Sequence, residues 1–382
     1  MSNENASKDA DFGKNQRRIY AFMCLFGSVF SYYSRKLIYD QDSYNFQGCI
    51  MTKFSRPWFV TLSMSIGMAM ASLLYLLILI FKKEPPVSFK MIPFRSYISA
   101  IFPAVCDLAF SVLYNITTLM ISSIFTVTFN FFMLLFTALF RRFLLKQRTL
   151  PYAWFSIGIL IVGIILSSIS VAGDEIQKTK LSLKLLFGCG VQLIAQVLAA
   201  LKAISEEKIL HQNDLSPIWL CGIEGIYEAL LLLFAFFPLL YISPKSFGEQ
   251  FQENFCSDFL MVIHSPKLML NIFVYLFIAM CYNTGLMGVI LTTSAIGFSV
   301  VESIASTVMW MMDLFIHYQL HGFLFNLNSS KFGEPWVSAS YIRLAGYLLV
   351  IIGALIYIKI VKLSCFQYEE SNIKVINMDD IN

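Results

Sequence analysis

About ten apolar runs divide this chain, each close to the ~20 residues that an α-helix needs to cross the hydrocarbon of a bilayer. They lie at 18–34, 57–81, 97–116, 121–140, 152–172, 183–205, 216–242, 268–290, 295–318 and 341–363. Within lipid, every backbone N–H and C=O must find its partner inside the protein, and a helix does this within one segment. The pattern predicts an all-α polytopic membrane protein of about ten transmembrane helices. Composition points the same way: 57% of residues are hydrophobic and 14% charged, whereas a soluble domain keeps about a quarter charged.

Charge sits in the connections between runs. The net charge of +4 is carried beside helix ends and not on a soluble face, which suits a membrane surface and argues against nucleic acid. Residues 1–17 are polar and lack the short apolar core of a cleavable signal, so the first run is expected to stay as an anchor behind a cytosolic tail. Lys14, Arg17, Arg18, Lys82, Lys83, Arg95, Arg141, Arg142, Lys359 and Lys362 fall on one side of an alternating topology. By the positive-inside rule that side is cytosolic, which puts both termini there, including the tail 364–382. The opposite side receives Asn328-Ser329-Ser330, an expected glycan acceptor, and the thiols of Cys49 and Cys256, an expected candidate disulfide between the two halves. Free thiols are the alternative for that pair.

The layout repeats. Ser122-Ser123 opens a run that leads, after a polar break, to the glycine-spaced segment Trp154 to Gly163. Thr293-Ser294 opens the ninth run, and the tenth carries Gly346 and Gly353. Five helices per half, at 18–172 and 183–363, place the halves in opposite orientations, because an odd number of crossings inverts the second.

With that layout, five segments carry a resemblance: Phe26-Gly27-Ser28, Phe102 to Asp107, Ser205 to Lys208, Gly222 to Gly225, and Asn283 to Glu302. Over nearly its whole length the chain resembles the drug/metabolite transporter superfamily, in particular nucleotide-sugar-transporter-like solute carriers related to chloroquine-resistance-type transporters. The resemblance implies a carrier that alternates access around a midplane cavity lined by the third, fourth, eighth and ninth helices. An endomembrane (Golgi, lysosome/vacuole or endosome) is the expected location. The departures fall at the expected binding site: Asn130 and Ala305 stand where the family pattern has arginines, while the acid Glu302 remains. A guanidinium is the natural partner of phosphate, so their loss weakens a nucleotide-sugar assignment.

Ionisable residues inside membrane runs are costly and raise a functional question. Asp107 and Glu302 lie well inside their runs, and Glu224 and Glu228, four apart, share one helix face. Asn115, Asn130 and Asn283 either bond between helices or reach a solute. Together these seven form the candidate substrate and coupling cavity. Asp313 raises the same question, with a wetted helix end as the alternative for it and for Glu228, and Lys202 is read as a base snorkelling beside Glu206. The cavity is therefore expected to be rich in acids and poor in bases, which favours a cationic, zwitterionic or polar neutral solute.

No Gly-x4-Gly-Lys-Ser/Thr loop is present, and the histidines fall in no zinc or hydrolase arrangement. No cofactor, metal or enzymatic chemistry is expected. The expected function is secondary-active transport of a small polar solute, with proton coupling through Asp107 or Glu302 and homodimerisation both open. The alternative is a non-transporting scaffold or receptor with a degenerate carrier site.

Overall fold

Thirteen helices and one hairpin make up the described part of the computed structural model, which covers residues 2–45, 50–82, 94–144, 150–179, 183–213, 215–242, 253–319 and 333–366. In chain order they are α1 (Ser2–Asp40), β1 (Asp42–Asn45), β2 (Ile50–Lys53), α2 (Pro57–Lys82), α3 (Phe94–Ser99), α4 (Ile101–Met120), α5 (Ser123–Phe143), α6 (Pro151–Thr179) and α7 (Leu183–Asn213). There follow α8 (Pro217–Leu231), a π turn (Leu232–Phe236), α9 (Phe237–Ile242), α10 (Phe255–Ile263), α11 (Pro266–Thr292), α12 (Ala295–Gln319) and α13 (Ala339–Tyr357).

Eight segments among the described residues are long and apolar enough to cross a membrane. They are α2, α3 with α4, α6, α7, α8 with α9, α11, α12 and α13. Helix α1 packs along α11 and α12, and α5 packs on α6, α7 and α12, so ten long rods share one bundle. The chain is an all-α polytopic membrane protein, with two four-residue strands outside the bundle.

Three boundaries depart from the sequence reading. Helix α1 continues past the charged pair Arg35-Lys36 to Asp40, because both side chains are accommodated inside the bundle. The third run breaks at Ala100, with Pro103, which has no N–H to donate, in the first turn of α4. Ahead of Pro238 the seventh rod widens into a π turn, in which the Phe237 N–H reaches back five residues to the Leu232 carbonyl.

The rods approach closely where glycines meet. A Cβ on Gly163 of α6 would stand 2.8 Å from the Gly346 carbonyl oxygen of α13, and one on Gly346 would stand 2.7 Å from the Ser167 nitrogen. Small residues that let backbones touch are the usual glue between helices in lipid. Hydroxyls along the rods satisfy themselves on carbonyls one turn back, as Ser299 does on Ala295 at 3.0 Å and Thr61 on Pro57 at 2.9 Å.

One end of the bundle carries the hairpin, in which β1 pairs antiparallel with β2, Asp42 facing Lys53. Ser43 docks it on α10 by donating to the Met261 carbonyl at 2.6 Å. Beside it, Arg56 pairs with buried Asp258 at 3.0 Å. The Glu253 carboxylate accepts the N–H groups of Trp58 and Phe59 at 3.0 and 2.9 Å, capping α2 from a distant segment. Cys256 is exposed at the start of α10, whereas Cys49 and Asn328-Ser329-Ser330 lie outside the described residues, so the expected bridge and glycan site do too.

Candidate functional site

Near the middle of the bundle, α1, α2, α4, α5, α7, α11 and α12 enclose a cavity of about 60 Å³. At about 10–15 Å³ of such space for one water, it holds several water molecules. Its wall includes Arg35, Asp107, Asn130, Lys202, Asn283 and Glu302.

Glu302 of α12 is buried and accepts the Ser28 hydroxyl at 3.0 Å and, weakly, the Cys24 thiol at 3.9 Å, both from α1. Arg35, two turns further along α1, holds its guanidinium 4.7 Å above the Tyr114 ring. No carboxylate among the described residues lies within ion-pair distance of Arg35, and no base within that distance of Glu302.

Lys202 differs. Its ammonium lies 2.7 Å from the Asp107 carboxylate and 3.6 Å from that of Glu206, and donates at 3.5 Å to Asn283 Oδ1. The snorkelling expected for Lys202 does not occur, because Asp107 and Glu206 hold the ammonium inside the bundle.

Behind Asp107 stands an acid cluster. Carboxylate oxygens of Asp107, Glu224 and Glu228 lie within 4.8 Å of one another, all buried. Glu228 accepts the Ser65 hydroxyl at 2.8 Å. Both oxygens of Glu224 lack a hydrogen-bond partner among the described residues. Helices α2 and α8 pack backbone to backbone beside this cluster: a Cβ on Gly222 or Gly225 would stand 2.5 or 2.4 Å from the backbone of α2.

Contacts between helices close both ends of the cavity. Toward the hairpin, Asp313 of α12 accepts the hydroxyls of Tyr32 and Tyr33 at 3.0 and 2.9 Å and pairs with Lys36 at 3.1 Å, joining α12 to α1. Asp313, for which a wetted helix end was the alternative, is buried, because α1 extends far enough to cover it. At the opposite end, Arg141 of α5 approaches Glu207 of α7 at 3.5 Å, and Glu207 accepts the Ala295 N–H at 3.0 Å, capping α12. Beyond that cap opens a vestibule of about 1080 Å³ whose rim includes Arg17, Arg141, Arg142 and Lys359. Helix α12 stands between the two spaces, with Phe298 and Glu302 on the cavity side and Val301 and Ile304 on the other.

Of the seven residues singled out in the sequence, Asp107, Asn130, Asn283 and Glu302 line the cavity. Glu224 and Glu228 sit behind it, and Asn115 ties α4 to α2 by donating to Thr61 at 2.9 Å. Asn130 is held by Gln196 at 3.2 Å and Ser306 at 3.4 Å, and Ala305 is wholly buried. The cavity is not poor in bases as expected: Arg35 and Lys202 both reach it. In the sequence the charged pair Arg35-Lys36 reads as the end of the first run, although an arginine one turn past Ser31 lies on the same helix face as Ser28 and Ser31.

No family model matches the chain. Solute carrier family 35 member F6 of Rattus norvegicus is 22% identical over 222 residues, covering 57% of this chain and 59% of that protein. The Mus musculus protein of the same name is 23% identical over 232 residues, covering 58% and 62%. For the Homo sapiens protein the match is 22% over 263 residues, covering 67% and 65%. The match thus spans about three fifths of the rodent relatives' length. One crystal structure is similar over 89% of this chain and 96% of its own, with a TM-score of 0.53 at 11% identity, a likeness of fold alone.

Proposed function

We propose, for a chain whose relatives are named solute carrier family 35 member F6 and which fits a nucleotide-sugar-transporter-like solute carrier of the drug/metabolite transporter superfamily, secondary-active transport of a small polar solute through the central cavity. The observation that carries this reading is the cavity itself: charged side chains from α1, α4, α7 and α12 converge on one enclosed space inside membrane-spanning helices. Charges so placed are costly and mark solute or ion paths. The relatives point to a transporter and away from an enzyme.

Alternating access between two inverted five-helix halves, 18–172 and 183–363, is supported by the way the rods pair. Shifting each rod by five along the order turns the α1–α11 contact into α7–α4, α1–α12 into α7–α5, and α2–α11 into α8–α4. The remaining principal contacts, α2–α8, α5–α12 and α6–α13, map onto themselves. All of these contacts occur, as a two-fold related pair of halves requires.

Proton coupling is assigned to the acid cluster. Asp107, Glu206, Glu224 and Glu228 face one ammonium, that of Lys202, so full ionisation would leave three uncompensated negative charges in a closely packed interior. Asp107 belongs to both this cluster and the cavity wall, which links proton occupancy to the solute. Both termini and the basic vestibule are assigned to the cytosolic side of an endomembrane.

The test is uptake into proteoliposomes holding the purified protein, screened with labelled amino acids, nucleotide sugars and polyamines under an imposed pH gradient. Saturable uptake that the gradient accelerates supports the reading. A folded protein that carries none of them favours a scaffold.

A further inference from the structure

Arg35 and Glu302 are the two charges on the cavity wall that the protein leaves without a partner of opposite sign among its described residues. Lys202 and Asp107 neutralise each other at 2.7 Å, and the Lys36 and Asp313 pair closes the end of the space. What a solute meets is one guanidinium and one carboxyl group. Both are anchored to the same helix, Arg35 as part of α1 and Glu302 through the Ser28 hydroxyl. Seven residues separate Ser28 from Arg35, roughly 10 Å of helix axis. Side chains on a helix lean toward its N-terminus, so the guanidinium reaches back toward Ser28 and shortens that span.

The surroundings of each charge suit a ligand group of opposite sign. Arg35 lines the cavity with its guanidinium over the Tyr114 ring and no carboxylate among the described residues at ion-pair distance. Around Glu302, the bonds from Ser28 and Cys24 fix the carboxyl group's orientation without neutralising it. Met64, Phe110, Phe298 and Met309 add apolar surface to the same wall.

Resting on the carrier reading, we infer that the solute is a small zwitterion whose carboxylate sits on Arg35 and whose ammonium sits on Glu302, with its apolar part against the apolar lining of the cavity. A buried charge left unpaired in the loaded state would be expensive, so the pair of charges selects for both ends at once. A singly charged analogue leaves one of them bare. A nucleotide sugar would satisfy Arg35 and bring further negative charge toward Glu302.

The experiment is counterflow exchange in proteoliposomes of the full chain, using neutral α-amino acids and 4-aminobutyrate, the carboxylates and amines obtained by deleting one end of each, and a uridine-diphosphate sugar. Zwitterions are expected to exchange, and deleting either end should cost roughly tenfold or more, the size of a lost charged hydrogen bond. Arg35→Gln should shift preference toward the amines and Glu302→Gln toward the carboxylates. Arg35→Lys and Glu302→Asp, with melting curves matching the parent, show that the neutral variants' losses reflect charge and not folding. Exchange of the single-ended compounds or of the nucleotide sugar as readily as the zwitterions overturns the zwitterion and leaves the carrier standing. Exchange of nothing, with an intact melting transition, overturns both.

Discussion

The Lys202 ammonium and the Asp107 carboxylate meet at 2.7 Å between α7 and α4, and this contact separates the solute cavity from the acid cluster behind it. Each partner depends on the other. Removing the ammonium leaves several buried carboxyl groups with no base beside them, whereas removing Asp107 leaves Lys202 with Glu206 at 3.6 Å.

Lys202→Met should therefore destabilise the protein by about 3–5 kcal/mol, the cost of breaking a buried pair from one side, and Asp107→Asn by less. The double variant should recover part of the loss. Thermal melting in detergent at fixed pH measures all three, and strict additivity would argue that the contact carries no coupling energy.

The latch of Tyr32, Tyr33 and Lys36 on Asp313 should hold the hairpin end shut. Each hydrogen bond to a charged group is worth about 1.5–3 kcal/mol, so Asp313→Asn should raise the open population at that end by roughly tenfold or more. A cysteine at Ser31, in a background stripped of exposed thiols, reports this as faster labelling by a membrane-impermeant maleimide. Unchanged labelling would mean that the latch bears no load.

Stability should fall as pH rises through a window set at the hairpin end. Burial pushes the Asp258 carboxyl up to about 7, with Arg56 opposing, and burial together with Asp258 raises Glu253 above the usual carboxylate range. Between about 4, where an unfolded aspartate ionises, and 7, the folded state holds the Asp258 proton and the unfolded state has lost it. The proton's contribution is fully present below that window and gone above it. Asp258→Asn should flatten the dependence of melting temperature on pH between 4 and 7, and an unaltered slope would remove Asp258 as its source.

Glycine positions of similar sequence context should respond differently. Gly346→Ala puts a methyl group 2.7 Å from the Ser167 nitrogen and should cost about 1–3 kcal/mol by overpacking. Nothing lies within 4 Å of a Cβ on Gly158, so Gly158→Ala should be neutral or slightly stabilising. The two melting temperatures decide it, and equal shifts would contradict the α6–α13 contact.

The sequence by itself determined the number and approximate limits of the membrane rods, because lipid leaves a helix of ~20 apolar residues few alternatives. It also marked Asp107, Glu224, Glu228 and Glu302, since an acid inside an apolar run stands out without any knowledge of its neighbours. Tertiary structure decided what those acids face. Nothing in the order of residues brings Lys202 to Asp107 rather than to the interface, or gathers Glu224 and Glu228 beside Asp107. Arg35 is the sharpest case: beside Lys36 it reads as a helix end, and it becomes part of a membrane cavity because Tyr114 and Asp313, distant in sequence, receive the two charges and let α1 continue. Local pattern sets where a helix can exist, whereas the partner that makes a buried charge tolerable comes from a different helix, and that pairing is fixed only when the rods pack.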